Sequence, residues 1–210
     1  MASTSAPPTP ASVDLYWLPL GAGGHLVRWN GRAFEAIVAR REHRAARDLY
    51  HAALEVRLDD QRFVVEMGPV WQSKDPARGV VAEGPVGARI LGRSALFRYE
   101  VRRWQGGVIP DIAEAVASPQ RVSQQARVAR RLLDLVPEVP TLVWGRDELA
   151  AADMWNSNSL VAWLLARTGH DAASIHPPRT GRAPGWRAGL VLAERQMPPT
   201  GVHGVRQLSS

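Results

Sequence analysis

Three polar side chains that stand far apart in the sequence belong to residue types that can carry out acyl transfer together. They are His51, Glu66 and Ser157. A serine hydroxyl needs a general base to remove its proton during attack on a carbonyl group. Histidine serves as that base in Ser/His/acid triads, which recur on unrelated folds and use an acidic side chain to orient the histidine. The chain therefore contains the components of a serine nucleophile site, if its fold brings them together.

Each of these residues also has a structural interpretation. Ser157 follows Asn156 at the start of an apolar stretch, and asparagine and serine are residues that helix starts prefer. His51 stands among β-forming and small residues, where a satisfied core or edge histidine is about as frequent as a base. The functional interpretation is better supported for Glu66 than for the other two residues. Glu66 follows apolar residues in a predicted strand, and a carboxylate is costly to bury without a partner.

Hydrophobic periodicity predicts the strands that would carry these residues. The longer predicted strands cover residues 13–20, 48–58, 62–70 and 96–104. The second and third of these are expected to pair as an antiparallel hairpin, because only three polar residues separate them. Short strands are predicted within loop-rich segments at residues 79–82, 89–91 and 141–144.

Helices are predicted in three places. Asn30 is expected to cap a helix within residues 25–47, although Asn30-Gly31 is also a hairpin signal. Ser118-Pro119 is expected to open a second helix, with serine as the cap and proline at the first helical position. A third, buried helix is expected over residues 156–167 and is closed by Gly169.

The order of these pieces is similar to that of a known group of proteins. His51 is followed by small and apolar residues, a valine-rich strand then ends in Glu66, and residues 156–165 (NSNSLVAWLL) open a buried helix that ends in Leu-Leu. This order resembles the circularly permuted NlpC-like branch of the papain fold, which includes lecithin:retinol acyltransferase-like proteins and YiiX-like peptidases. Those families have cysteine where this chain has Ser157. The resemblance covers roughly residues 48–168.

The resemblance implies an α+β, papain-like fold in which an antiparallel sheet packs against helices. It also implies a hydrolase or acyltransferase that acts on an amide, isopeptide or ester bond, with peptides or lipid esters as substrates. Ser157 would be the nucleophile, His51 the base, and Glu66 the residue that orients the base. The neighbouring side chains expected to contact the substrate are those of Asn156, Trp155 and Tyr50.

Serine in the nucleophile position leaves other interpretations open. A catalytically inactive homologue that uses the same cleft as a binding module would also lack the cysteine, and so would a chain in which the cysteine had been replaced by engineering. A basic nucleic-acid-binding domain is a third interpretation, since the formal net charge is +6 and 26 basic residues less the single Lys74 leave 25 arginines. That arginine content is also typical of a GC-rich genome, so nucleic acid is the less favoured partner.

Composition limits the remaining classes. A chain of 210 residues, 45% of them hydrophobic, suits one domain, expected over residues 13–197 between polar tails at 1–12 and 198–210. The sequence has no run of about 18 apolar residues and no leader pattern, so we expect a cytoplasmic protein without a membrane span. The absence of cysteine excludes disulfides and thiolate zinc sites, and the histidines lack metal-ligand spacing, so no metal or other cofactor is expected.

Overall fold

A computed structural model describes residues 10–20, 47–70 and 77–197 of the chain. Within these ranges the fold is α+β, with a six-stranded antiparallel sheet and three α-helices. The strands are β1 (Ser12–Pro19), β2 (Tyr50–Leu58), β3 (Gln61–Pro69), β4 (Val80–Pro85), β5 (Arg98–Gln105) and β6 (Gln120–Ser123). The helices are α1 (Ala126–Leu135), α2 (Ser157–Arg167) and α3 (Trp186–Gln196).

The predicted hairpin is confirmed as the pair β2–β3. Leu58 faces Gln61, so Asp59 and Asp60 alone form the turn between the strands. Their φ values of 50° and 61° are positive, which is the backbone that two-residue hairpin turns favour because it matches the twist of the strands. Aspartate tolerates this conformation better than most residues. The strand order β4-β5-β3-β2-β1-β6 places this hairpin at the centre of the sheet.

The prediction of a helix that opens at Ser118-Pro119 is wrong, because this segment joins the sheet. Gln120–Ser123 forms β6 against β1, and α1 begins only at Ala126. The Ser118 hydroxyl accepts a hydrogen bond from the backbone N–H of Trp17 at 2.8 Å, so it supports β1 instead of capping a helix. Pairing with the open edge of β1 satisfies backbone groups that the first turn of a helix would leave without partners.

The main core lies between one face of the sheet and the helices, and α2 is at its centre. Every residue of α2 from 157 to 165 is buried. Helix α3 (Trp186–Gln196), which the sequence pattern did not predict, packs directly on α2. Gly189 permits this approach, because a Cβ atom at this position would lie 2.2 Å from the carbonyl oxygen of Ser159.

Only one of the three short predicted strands is confirmed, as β4. The strand predicted at 89–91 is wrong, because Arg89–Arg93 forms a 3-10 helix. The strand predicted at 141–144 is also wrong, because Trp144 makes only isolated bridges. Windows of three or four residues are too short for periodicity to separate a strand from a single helical turn.

Some predicted segments lie outside the described residues. They include the cap Asn30 and nearly all of the segment 25–47, as well as the tail predicted at 198–210. The first strand begins at Ser12, inside the tail predicted at 1–12, and this serine is buried. None of the helices in the described ranges is long and apolar enough to cross a membrane.

Candidate functional site

The start of α2 is held by an interlocked set of side chains. Asn156 is the N-cap, and its Oδ1 atom accepts hydrogen bonds from the backbone N–H groups of Asn158 at 2.9 Å and Ser159 at 3.4 Å. The Ser159 hydroxyl accepts in return from the backbone N–H of Asn156 at 3.0 Å, which completes a capping box. The Nδ2 group of Asn156 donates to the Pro184 carbonyl at 2.8 Å. Both polar atoms of Asn156 are therefore engaged in the helix start, and its predicted contact with a substrate has no support in these bonds.

A second asparagine, Asn158, joins this helix start to β2. Its Oδ1 atom accepts from the backbone N–H of Ala52 at 2.7 Å, and its Nδ2 group donates to the Tyr50 carbonyl at 2.9 Å. These two backbone groups lie on the edge of β2 that faces away from β1, where β3 begins to pair only at Leu54. We call these two hydrogen bonds of Asn158 the tether. The tether holds β2 on both sides of His51.

This tether brings two of the predicted catalytic side chains into contact. The Nδ1 atom of His51 lies 2.6 Å from the Oγ atom of Ser157. Ser157 is the first residue of α2, and His51 is the second residue of β2. Ser157 is only 4% exposed, whereas His51 is partly exposed. Within the described ranges, the histidine is therefore the more exposed member of the pair.

The environment of His51 keeps its ring neutral. Burial lowers the pKa of His51 from 6.5 to about 4, because the charged imidazolium would lose its hydration. With its proton on Nε2, the ring presents Nδ1 as an acceptor for the Ser157 hydroxyl, which is the arrangement that a general base needs.

Among the described residues, the backbone N–H of Ser157 has no hydrogen-bond acceptor. As the first residue of a helix, Ser157 has no intrahelical acceptor for this group, and no other acceptor contacts it within the part of the chain that the structure describes. The next two N–H groups, of Asn158 and Ser159, are already taken by Asn156. A free N–H at the positive end of a helix dipole stabilises the oxyanion that forms when a carbonyl is attacked.

Glu66 is engaged in a different, buried cluster. Its Oε1 atom accepts from Arg102 at 2.8 Å, and Arg102 also donates to Glu100 at 3.1 Å. Arg78 donates to Glu100 at 2.7 Å. Burial raises the pKa of Glu66 despite Arg102. Burial also acts to raise the pKa of Glu100, but the hydrogen bonds from Arg78 and Arg102 outweigh it and leave this pKa below its ordinary value.

The predicted orientation of His51 by Glu66 therefore has no support in the structure. Among the described residues, the one hydrogen bond of the His51 ring is that to Ser157, and the hydrogen bond of Glu66 goes to Arg102. A buried carboxylate needs a partner, and an arginine on the adjacent strand β5 supplies it. The sequence correctly indicated that Glu66 is an unusual buried acid. Its partner, however, is Arg102 of the sheet and not the predicted base His51.

Tyr50 and Trp155 lie in the main core. They are 2% and 1% exposed, respectively. Gly181 packs on the ring of Tyr50 so closely that a Cβ atom there would lie 2.5 Å from the Cε2 atom of the tyrosine. These rings support the site from the interior, and their burial gives no support to the predicted contact with a substrate.

Two residues that position the site were not singled out from the sequence. Asn158 makes the tether to β2, and Asp153 accepts hydrogen bonds from the backbone N–H groups of Gly185 at 2.7 Å and Arg187 at 3.1 Å, which fixes the start of α3 beside that of α2. The available signal was the run Asn-Ser-Asn-Ser, which extends polar side chains into an otherwise apolar helix. Buried polar groups of this kind almost always have hydrogen-bond partners.

A surface cavity of about 840 Å³ lies at a different place in the fold. It is lined by residues of β6, of the start of α1 and of the segment that follows α2, including Arg121, Arg127 and His170. Neither Ser157 nor His51 belongs to its lining. Within the described ranges, no three His, Asp or Glu side chains come together as metal ligands do.

The chain was compared with family models, with curated proteins and with solved structures, and none of the three comparisons gave a match. The described residues define an α+β protein with a six-stranded antiparallel sheet and three helices. At the start of its central helix it carries a Ser–His pair in hydrogen-bond contact.

Proposed function

We propose that the chain hydrolyses or transfers an acyl group, acting on an amide, isopeptide or ester bond with Ser157 as the nucleophile and His51 as the base. The observation that carries the proposal is the 2.6 Å contact between His51 Nδ1 and Ser157 Oγ. A structural role for the helix start does not require this contact, because Asn156 and Ser159 already complete the cap. The Ser–His pair is therefore additional to what the fold needs at this point.

The reaction follows from the position of each group. Nδ1 of neutral His51 removes the hydroxyl proton as Ser157 Oγ forms a bond to the carbonyl carbon. The negative charge that develops on the carbonyl oxygen is stabilised by the N–H of Ser157. The imidazolium then protonates the leaving nitrogen or oxygen, its bond to carbon breaks, and an ester of Ser157 remains. Water, or an acceptor amine or alcohol, attacks this ester while His51 removes its proton. The bond between the acyl carbon and Ser157 Oγ then breaks, the imidazolium returns a proton to Oγ, and the acyl group leaves on the attacking oxygen or nitrogen.

The resemblance to permuted NlpC-like proteins supports this reaction class and the papain-like interpretation of the fold. In those proteins the nucleophile lies at the start of a buried helix and the histidine on a strand, and Ser157 and His51 occupy the same kinds of position here. The low pKa of His51 suits serine better than cysteine. A hydroxyl has to give its proton to a neutral ring, whereas a thiolate is stabilised by an imidazolium.

A serine-directed fluorophosphonate probe tests the proposal. We expect one probe molecule per folded chain, located on Ser157 by peptide mass spectrometry, and no label in Ser157→Ala or His51→Ala. Ser174→Ala is the matched control, because this exposed serine bonds only to a neighbouring carbonyl, and its label should equal that of the original chain. An original chain that is folded and remains unlabelled at neutral pH would refute the proposal.

A binding role for the same site, without catalysis, is the second candidate. It is favoured by the engagement of Glu66 with Arg102, which leaves His51 without a carboxylate among the described residues, and by the burial of Ser157. In that case the probe leaves Ser157 unmodified, while a non-hydrolysable acyl or peptide analogue still shifts the NMR resonances of the His51 ring.

A further inference from the structure

We infer that Asn158 is the positioning residue of this site: its side chain replaces a missing neighbouring strand and so fixes His51 against Ser157. As a statement about catalysis the inference rests on the proposed function. As a statement about geometry it stands on the contacts of Asn158 alone, so the two can fail separately.

The two edges of β2 are paired over different lengths. On one edge, β2 pairs with β1 from its first residue, where Tyr50 faces Pro19. On the other edge, pairing with β3 begins only at Leu54. The Ala52 N–H and the Tyr50 carbonyl would therefore lack strand partners, although buried backbone groups are nearly always paired.

The side chain of Asn158 supplies the missing partners of these two backbone groups. A primary amide presents one carbonyl oxygen and two N–H donors, as a peptide group presents its own acceptor and donor. Asn158 gives Oδ1 to the Ala52 N–H and divides the two donors of Nδ2 between the carbonyls of Tyr50 and Pro184, both within 2.9 Å. It is 1% exposed. Both polar atoms of the side chain therefore have hydrogen-bond partners, which hold it in this orientation.

The tether lies directly beside the Ser157–His51 pair. Tyr50 and Ala52 bracket His51, and Asn158 directly follows Ser157, so the tether and the pair occupy adjacent residues on both elements. A displacement of β2 along α2 by about 1 Å would break a contact of 2.6 Å, and misplacements of that size are enough to suppress catalysis strongly. The tether prevents this displacement.

The same helix start offers a matched control. Ser159 is as buried as Asn158, and its hydroxyl also has three polar partners: it accepts from the N–H of Asn156 and lies within donating distance of the carbonyls of Gly185 and Met154. None of these groups belongs to β2. Replacing Ser159 therefore disturbs the helix start without releasing His51.

Amide hydrogen exchange of the unmodified chain gives the first test. The Ala52 N–H has the Asn158 side chain as its acceptor, so we expect it to be protected to a similar degree as the ladder amides of β2. Exchange of the Ala52 amide at the rate of an unprotected peptide would overturn the inference without any substitution.

NMR titration of the His51 ring gives the second test. In Asn158→Ala, release of β2 exposes the ring, so its midpoint should rise from about 4 towards 6.5 by about one pH unit or more. In Ser159→Ala the midpoint should stay near its original value. If Asn158→Ala does not fold, Asn158→Leu keeps a similar volume and adds no charge but loses all three hydrogen bonds, and its midpoint should rise as well.

An unchanged midpoint in the folded Asn158 variant, or an equal rise in Ser159→Ala, would overturn the inference. Neither readout depends on catalysis, so a chain that the fluorophosphonate probe does not label can still confirm the role of Asn158. A labelled chain whose Asn158 variants titrate normally would uphold the proposed function and reject the positioning role.

Discussion

Replacing Ser157 by cysteine places a single thiol at the start of α2, beside Nδ1 of His51, in a chain that has no other cysteine. The free thiol has a pKa of about 8.5. Three features of the site act on this value: the positive end of the helix and the neighbouring imidazole lower it, and the burial of position 157 raises it. Their separate contributions follow from the structure, which makes the substitution a quantitative test of the site.

The helix start contributes about 1 kcal/mol, which lowers the thiol pKa by close to one pH unit. The histidine contributes less. At pH 7, protonating a ring whose pKa is about 4 costs about 4 kcal/mol. This offsets the attraction of roughly 4 kcal/mol between two unit charges about 4 Å apart at an effective dielectric constant of about 20. Burial works against both contributions, so we expect a thiol pKa of roughly 7.5 to 8, which His51→Ala should raise by only a few tenths.

The pH dependence of alkylation by iodoacetamide measures this pKa. The burial of position 157 slows the reaction and moves its midpoint upward, because burial disfavours the thiolate. Ser174→Cys, on an exposed turn, is the matched control and should titrate near 8.5. A midpoint at or above that of the control would contradict this expectation, because burial would then cancel the effect of the helix start. A midpoint below about 6 would show that His51 is readily protonated beside a thiolate, contrary to its low pKa.

Two further results are expected from urea unfolding. Gly189→Ala should destabilise the fold by about 1–3 kcal/mol, because the new Cβ atom would lie 2.2 Å from the Ser159 carbonyl oxygen; an unchanged stability would mean that α3 is not closely packed on α2. The folded-state pKa of His51, about 4, lies below its ordinary value of 6.5, so its contribution to stability is present above pH 6.5 and is lost as the pH falls towards 4. The original chain should lose roughly 1–3 kcal/mol more than His51→Gln over this interval, a range that allows for the partial exposure of the ring; equal losses would contradict the low pKa.

The elements that sequence predicts well here are those with strong local signals. The hairpin β2–β3 combines two β-rich runs with a short polar turn, and α2 combines a cap with a long apolar stretch. The segment at Ser118-Pro119 carries an equally clear helix signal, yet it pairs with β1 about a hundred residues earlier in the chain. Local propensity cannot anticipate that pairing, because the open edge of β1 exists only once the sheet has formed.

At the site, the sequence identified the reactive types but not all of their partners. Ser157 and His51 were predicted to meet, and the structure places them in contact. Glu66 was expected beside them because a strand glutamate is conspicuous, but the sequence does not show that Arg102 stands opposite it in the sheet. Asn158 was overlooked because an asparagine beside a helix cap is common, and its role depends on where β3 stops pairing with β2.

If neutral His51 activates Ser157, the rate at which the fluorophosphonate probe labels this serine depends on the ionisation of the histidine ring. The rate should follow the neutral fraction of His51, so it should remain nearly constant from pH 8 to pH 5.5 and fall to half near the His51 pKa of about 4. His51→Ala should abolish labelling across the range. Labelling of Ser157 that persists without His51, or no labelling of Ser157 at any pH, would contradict the account.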